Sequence, residues 1–313
     1  MSKKRNTKTN KFDPQHPLYI VSKGRSEYMM TSKALTRMGV DHFIVVEPQE
    51  VKLYKDSIKK LKLRTTVVEL DMGFKNKYEL CDEFGLTKST GSGPARNYAW
   101  EHSIKSGSTH HWVMDDNIRW FRRINNNQKV ILESGSGFRA MEDFAKKFIN
   151  VAMAGPQYSF FSPRKEKYKP IILNTRVFSC NFIRNSVPLR WRGRYNEDII
   201  LSLDMLKAGW CTLLYRAFTQ DKMITQAMKG GNTTELYEGK TLSKGEKYSK
   251  TGTNQKSIML QRLHPEYAEV VWKYDRVHHK ANLRSFQKTN RLIVDPTWKP
   301  PQDKEYGLEL KAT

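Results

Sequence analysis

No stretch of the chain approaches the ~18 consecutive apolar residues that a membrane-crossing helix requires. The basic start, Met1 to Lys11, is not followed by the apolar core of a secretory signal. Cysteine is scarce: Cys81, Cys180 and Cys211 are the three present, odd in number and far apart. That excludes a disulfide framework and a zinc knuckle and suits a reducing compartment. Acid is also in deficit, with 32 Asp+Glu against 55 Lys+Arg, a net charge of +23 over 313 residues. An excess of this size states something about partners, and the natural partner is a polyanion. Nucleic acid leads, with an anionic membrane surface second. The expectation is a soluble cytoplasmic protein, and a monomer.

Against these absences stands a repeated pattern of short apolar runs, polar ends and helices. Leu18 to Val21 reads as a first strand that runs into Ser22-Lys23-Gly24-Arg25, a small basic turn suited to anions. Tyr28 to Arg37 reads as a helix stopped by Gly39, Phe43 to Val46 as a strand ending in Glu47-Pro48-Gln49, and Val51 to Leu61 as an amphipathic helix. Thr66 to Leu70 gives a third strand. Strand, polar end and helix in succession predict an α/β fold built on a parallel sheet. Further on, Met141 to Ala154 reads as an amphipathic helix and Cys211 to Tyr215 as a strand.

The run Trp112-Val113-Met114 stops abruptly at Asp115-Asp116-Asn117. Ligands of open α/β sheets collect at the carboxyl ends of strands, so these acids belong where a ligand would lie. Clustered oxygen donors suit a hard divalent cation; the alternative is a solvated turn, which Asp and Asn also favour. Gly93 and Pro94 open a helix that carries Arg96 in its first turn. A cation there opposes the helix dipole unless an anion is near, so Arg96 points to a ligand phosphate or a carboxylate. From Phe161 to Tyr195 there are nine Lys/Arg against one Glu, with Trp191 set among Arg190, Arg192 and Arg194. Cations interleaved with an aromatic suit a base-stacking surface, or a solvated basic loop. Asn196 reads as a helix cap, with Glu197 and Asp198 in the first turn after it. Those carboxylates either stabilise the helix through its dipole or supply a general base.

Taken together, Tyr19 to Arg25, Gly93 to Asn97, Trp112 to Asn117, and Asn196-Glu197-Asp198 resemble a nucleotide-sugar glycosyltransferase of the GT-A type. More narrowly, they resemble the phage and kinetoplastid DNA-base glycosyltransferases associated with TET/JBP hydroxylases. Val277-His278-His279, with Phe286 after it, is similar to that group's C-terminal motif. Two positions depart from the pattern: Asn117 stands where a second spaced acid belongs, and Lys280-Ala281-Asn282 follow the histidines. The resemblance implies a GT-A, Rossmann-like, mixed and mostly parallel sheet flanked by helices, with a basic C-terminal extension. It implies Ser22, Arg25, Gln49, Arg96, Asp115 and Asp116 at a UDP-sugar donor, and Asp115, Asp116, Asn117 and one of His278 and His279 around Mn²⁺ or Mg²⁺. It implies Asp198 as base, supported by Glu197.

The activity so implied is transfer of a sugar to the hydroxymethyl group of 5-hydroxymethylcytosine or 5-hydroxymethyluracil in double-stranded DNA. Arg190, Trp191, Arg192 and Arg194 are the candidate DNA contacts. A metal-dependent nuclease and a non-catalytic nucleic-acid-binding protein are the alternatives. The expected organisation is a flexible basic arm over 1–15, a catalytic core over 16–221, an acceptor and lid region over 222–295, and a tail over 296–313. The region Lys222 to Arg291 has 14 Lys/Arg against six Asp/Glu, and Lys229 to Thr234 and Gly245 to Gly252 read as mobile loops.

Overall fold

Strands buried on both faces read as unbroken apolar runs, and the centre of this protein is made of such runs. In the computed structural model, β1 (Leu18–Val21) is buried at every position and β4 (His110–Asp115) at all but its last. The two lie side by side and parallel, with Val21 paired to Asp115. β2 (His42–Val46) flanks β1 and β3 (Thr65–Glu69) flanks β2, both parallel. Successive side chains go to opposite faces: Leu18, Ile20, Trp112 and Met114 enter one buried cluster, while Tyr19, Val21 and Val113 enter the other. The described residues are 11–82, 89–165, 167–223, 252–273, 276–303 and 306.

The sheet continues through β5 (Ile118–Asn125), β6 (Gln128–Ile131), β7 (Val151–Tyr158), β8 (Ile171–Leu173), β9 (Cys180–Arg184) and β10 (Cys211–Lys222). Its order is β3-β2-β1-β4-β9-β7-β10-β5-β6, with β8 beside β10. β9, β5 and β8 oppose the others, so the sheet is mixed and mostly parallel. Helices cover its faces: α1 (Met30–Arg37), α2 (Val51–Leu61), α3 (Gly73–Asn76), α4 (Gly93–Lys105), α5 (Ser136–Lys146) and α6 (Glu197–Lys207). The α/β expectation holds. No helix among the described residues is long and apolar enough to cross a membrane.

One element assignment changes. The helix expected over Met141 to Ala154 ends at Lys146, and Val151 starts β7. Val151 to Ala154 are buried between β9 and β10, where β-pairing decides the conformation over local periodicity. Immediately after the acids the chain forms the β5–β6 hairpin, whose turn is Asn126-Asn127, both at positive φ (46° and 59°). That is the backbone a two-residue hairpin turn demands and Asn tolerates.

The C-terminal segment adds α7 (Gly252–Leu263), the antiparallel pair β11 (Ala268–Lys273) and β12 (Arg276–Ala281), and α8 (Phe286–Thr289). It is packed against the core through a third apolar cluster that joins Ile199 and Leu203 of α6 to Met259, Leu260 and Phe286. Asn174 ties it further, donating to the carbonyls of Phe286 and Asn290. The loops Lys229 to Thr234 and Gly245 to Thr251 lie outside the described residues, as do Met1 to Asn10 of the basic arm. Gln15 and His16 donate backbone N–H to the buried Glu142.

Candidate functional site

The carboxyl ends of β1, β2 and β4 open into a cavity of about 330 Å³. At the end of β1, Ser22 Oγ donates to Asp116 Oδ2 (2.6 Å) and Arg25 Nη1 to Asp116 Oδ1 (2.7 Å). The Tyr54 hydroxyl from α2 meets Ser22 Oγ and accepts from Arg25 N. Gly24, at φ +65°, gives this loop its sharp turn. Thr31 braces the acid motif from α1, its hydroxyl donating to the Asp115 carbonyl and accepting from Ile118 N. Burial raises the Asp116 carboxyl above its ordinary value, with Arg25 and Ser22 opposing.

Asp115 is held differently. Arg96 Nη2 pairs with its Oδ1, and Lys222 Nζ lies 2.6 Å from its Oδ2. Burial by itself would raise the Asp115 carboxyl; Lys222 and Arg96 outweigh it and hold the group well below the carboxylate range. Lys222, in turn, is kept protonated by Asp115 against the pull of burial. Arg96 is 2 % exposed, yet its Nη1 has no hydrogen-bond partner among the described residues. A guanidinium in a cavity wall is a natural anion contact.

The start of α6 closes the other side. Glu197 Oε1 accepts from Ser92 Oγ (2.7 Å) and lies 3.6 Å from Arg96 Nε, so it orients Arg96. Asp198 lines the cavity and, among the described residues, has only its neighbour's N–H on Oδ1 (Ile199 N, 2.8 Å). Burial first, and then Glu197, push its carboxyl up to about 7. Such a group exchanges a proton at neutral pH. Asn196 precedes α6 at φ +54° and makes no side-chain cap; its Nδ2 donates instead to Lys256 O, joining α6 to α7.

The structure therefore brings Ser22, Arg25, Arg96, Asp115, Asp116, Asn117, Glu197 and Asp198 to one cavity. It leaves Gln49 outside, donating to Glu47 Oε2, and it is Glu47 that faces in, paired with Lys23 and Lys75. His278 and His279 sit on β12 and do not line the cavity; His279 Nδ1 meets Ser257 Oγ at 3.3 Å. Sequence reading also missed Lys75 and Lys222, whose positions depend on contacts far along the chain. Glu47 was within reach, since it ends β2 as Asp115 ends β4.

The expected metal set does not fit. Both oxygens of Asp115 are taken by cations, both of Asp116 by Arg25 and Ser22, and neither histidine lines the cavity. Asn117 Oδ1, buried without a partner among the described residues, is a single neutral donor. A divalent ion at Asp115 would have to displace an ammonium or guanidinium group and then lie beside it. No group of three or more metal-ligating side chains occurs among the described residues.

The candidate DNA surface at Arg190 to Arg194 is also corrected. Trp191 is 1 % exposed and lies beneath the Arg96 guanidinium, 4.9 Å from ring centroid to carbon, so no base can reach it. Arg194 is buried against Asp82, and Arg192 is shared by Asp204 and Glu79. Arg190 donates to the carbonyls of Val187 and Leu189 and covers Trp100. Arg192 and Arg194 tie the scaffold together through acids from other parts of the chain, while Arg190 stays exposed and pairs with no acid among the described residues.

Compared with known proteins, residues 16–231 match a family profile described as TET-Associated Glycosyltransferase. A search of curated proteins finds no match.

Proposed function

Since the chain belongs to the TET-associated glycosyltransferase family, we propose that it moves a sugar from a UDP-sugar to the hydroxymethyl group of a 5-hydroxymethylpyrimidine in DNA. The observation that carries this reading is the pairing of Arg96 and Lys222, both cationic, with Asp198 across one strand-end cavity. In the proposed reaction the acceptor hydroxyl oxygen bonds to the anomeric carbon while the bond from that carbon to the diphosphate oxygen breaks. The hydroxyl proton goes to Asp198, and the electron pair leaves with UDP. Arg96 and Lys222, both in the cavity wall, meet the charge growing on the diphosphate. A fixed cation aimed at developing charge in a water-poor site is a strong source of rate. Ser22, Arg25 and Asp116 form the nucleoside end of the site in this reading, with Glu47 beside them. No step runs through a metal ion.

The reading is tested by incubating hydroxymethylated DNA with a panel of UDP-sugars, with and without EDTA, then digesting to nucleosides and weighing them. The expected product is a nucleoside heavier by one sugar residue, formed equally in both arms. DNA cleavage that depends on metal and ignores UDP-sugars would replace the reading with a nuclease. Binding without either reaction would leave a non-catalytic protein.

A further inference from the structure

A second groove, of about 740 Å³, lies next to the donor cavity, and the two share one wall residue, Lys222. Its lining is cationic: Arg119, Arg122, Lys129 and Arg164. Among the described residues the one acid in its wall, Asp221, is neutralised by Arg122 at 2.6 Å. The basic side continues outward through Lys165, Lys167 and Lys169, all exposed.

Aromatic rings link the two spaces. Tyr158, at the end of β7, lines the donor cavity and stacks on Phe178 within it (centroids 5.6 Å apart, 14° between planes). Tyr158 also stacks on Phe160 (5.3 Å, 11°), and Phe160 lines the second groove. Phe160 and its neighbour Phe161, 4.3 Å away, are 66 % and 62 % exposed. Two adjacent phenyl rings held in solvent by the turn Ser159–Phe161 bury little in the folded chain. Parallel rings leading from a basic surface into a reaction cavity offer what a strand of nucleotides needs: cations for phosphates and π-faces for bases. A lipid surface would be served by cations and apolar bulk without ordered stacking.

We infer that this groove holds the acceptor strand, with phosphates on Arg119, Lys129 and Arg164 and an unstacked base on Phe160 beside the donor cavity. The inference rests on the proposed function for its acceptor, a hydroxymethylated DNA, and adds where that acceptor lies. The base whose hydroxymethyl group reacts would leave its own stack and pass from Phe160 toward the donor cavity; a nucleotide out of the duplex is what an enzyme acting on a base requires.

The test is the affinity of the full chain for a fluorescein-labelled oligonucleotide containing 5-hydroxymethylcytosine, followed by anisotropy over a range of salt. The variants are Phe160→Ala with Phe161→Ala, and Arg119→Glu with Arg164→Glu. The aromatic pair is expected to weaken binding about 10- to 100-fold, the usual worth of base stacking, without changing the salt dependence. The charge reversals should lower the slope of log affinity against log salt by about one for each phosphate no longer neutralised. These side chains are exposed, so thermal melting should be unchanged. Unaltered DNA affinity in both variants overturns the inference. So does loss of binding to phosphatidylserine vesicles with DNA binding intact, which would give the groove to a membrane. Failure of the wild-type chain to glycosylate the same oligonucleotide, while the variants still lose affinity, would remove the proposed function and leave the groove.

Discussion

Asp198 shows how a single side chain reconciles opposing demands. The helix start favours its ionised form through the dipole, while burial and Glu197 favour the proton and bring it to about 7. A base of that strength is near the operating pH, where it is ionised in part and still able to hold a proton. Asp198→Asn should bind UDP and DNA while turnover falls by roughly 10²-fold or more, measured by single-turnover transfer at saturating substrates. Near-wild-type transfer would move the search for the base to Glu197. The wild-type rate should rise through about pH 7 as the carboxyl ionises. Stability should run the other way. The folded value lies above the ordinary 3.8, so the folded protein keeps this proton where the unfolded chain has lost it, and stability falls as pH rises through that window. Thermal melts should therefore show Asp198→Asn gaining on the wild type from about pH 4 to about pH 8. Lys222 is the second residue on which the chemistry depends. Lys222→Met is expected to cut turnover by about 10²–10³-fold, the scale of losing one charge-stabilising donor. Lys222→Arg should recover part of it. Wild-type transfer abolished by EDTA and restored by Mn²⁺ would overturn the role given to this ammonium group.

At the scale of elements, the first turn of α4 carries the most consequence for its length. Gly93 begins it, and a Cβ on Gly93 would overlap the ring and hydroxyl of Tyr78. Tyr78 is buried and its hydroxyl donates to Gly193 O at 2.9 Å, so it has little room to give. Ser92 and Arg96 flank the same turn and reach Glu197 and Asp115. Gly93→Ala should cost about 1–3 kcal/mol in urea unfolding through overpacking. It should also raise the KM for the UDP-sugar, because the helix start that aims Arg96 must shift. A full loss of stability with an unchanged KM would separate α4 from the donor site. The β5–β6 hairpin is a second such element. It follows directly on the acids and presents Arg119, Arg122 and Lys129 to the groove beside them.

Across the whole molecule, the net charge of +23 hides a division of labour. Some cations are held inside by acids, as Arg194 by Asp82, Arg96 by Asp115 and Arg192 by Asp204. The exposed remainder is what a polyanion meets. DNA affinity should fall steeply with salt, at a slope close to the number of phosphates neutralised. A flat response from low to moderate ionic strength would count against DNA as the macromolecular substrate.

Composition and local pattern by themselves determined that the chain builds an α/β sheet, that β1, β2 and β4 give way to polar residues, and which acids stand at those ends. Strand burial and strand-end chemistry are short-range properties, written in runs such as Leu18 to Val21 and Trp112 to Asp116. They also placed Arg96 beside an anion, because a cation at a helix start is unfavourable without one. Only the tertiary structure decided what each charge meets. Lys222 reaches Asp115 across 107 positions of sequence and Arg194 reaches Asp82 across 112. The basic stretch around Trp191 looked like a nucleic-acid surface because its acids are supplied from afar, and a count along the chain cannot see them. For the same reason the acids at Asp115 to Asn117, counted along the chain, give no sign that Lys222 pairs with the first of them. The aromatic column reads locally as Tyr158-Ser159-Phe160-Phe161, but its opening toward the donor cavity depends on Phe178 and on the register of β7 with β10. Pairing and burial are sums over the whole fold, so they are decided only when the chain has closed.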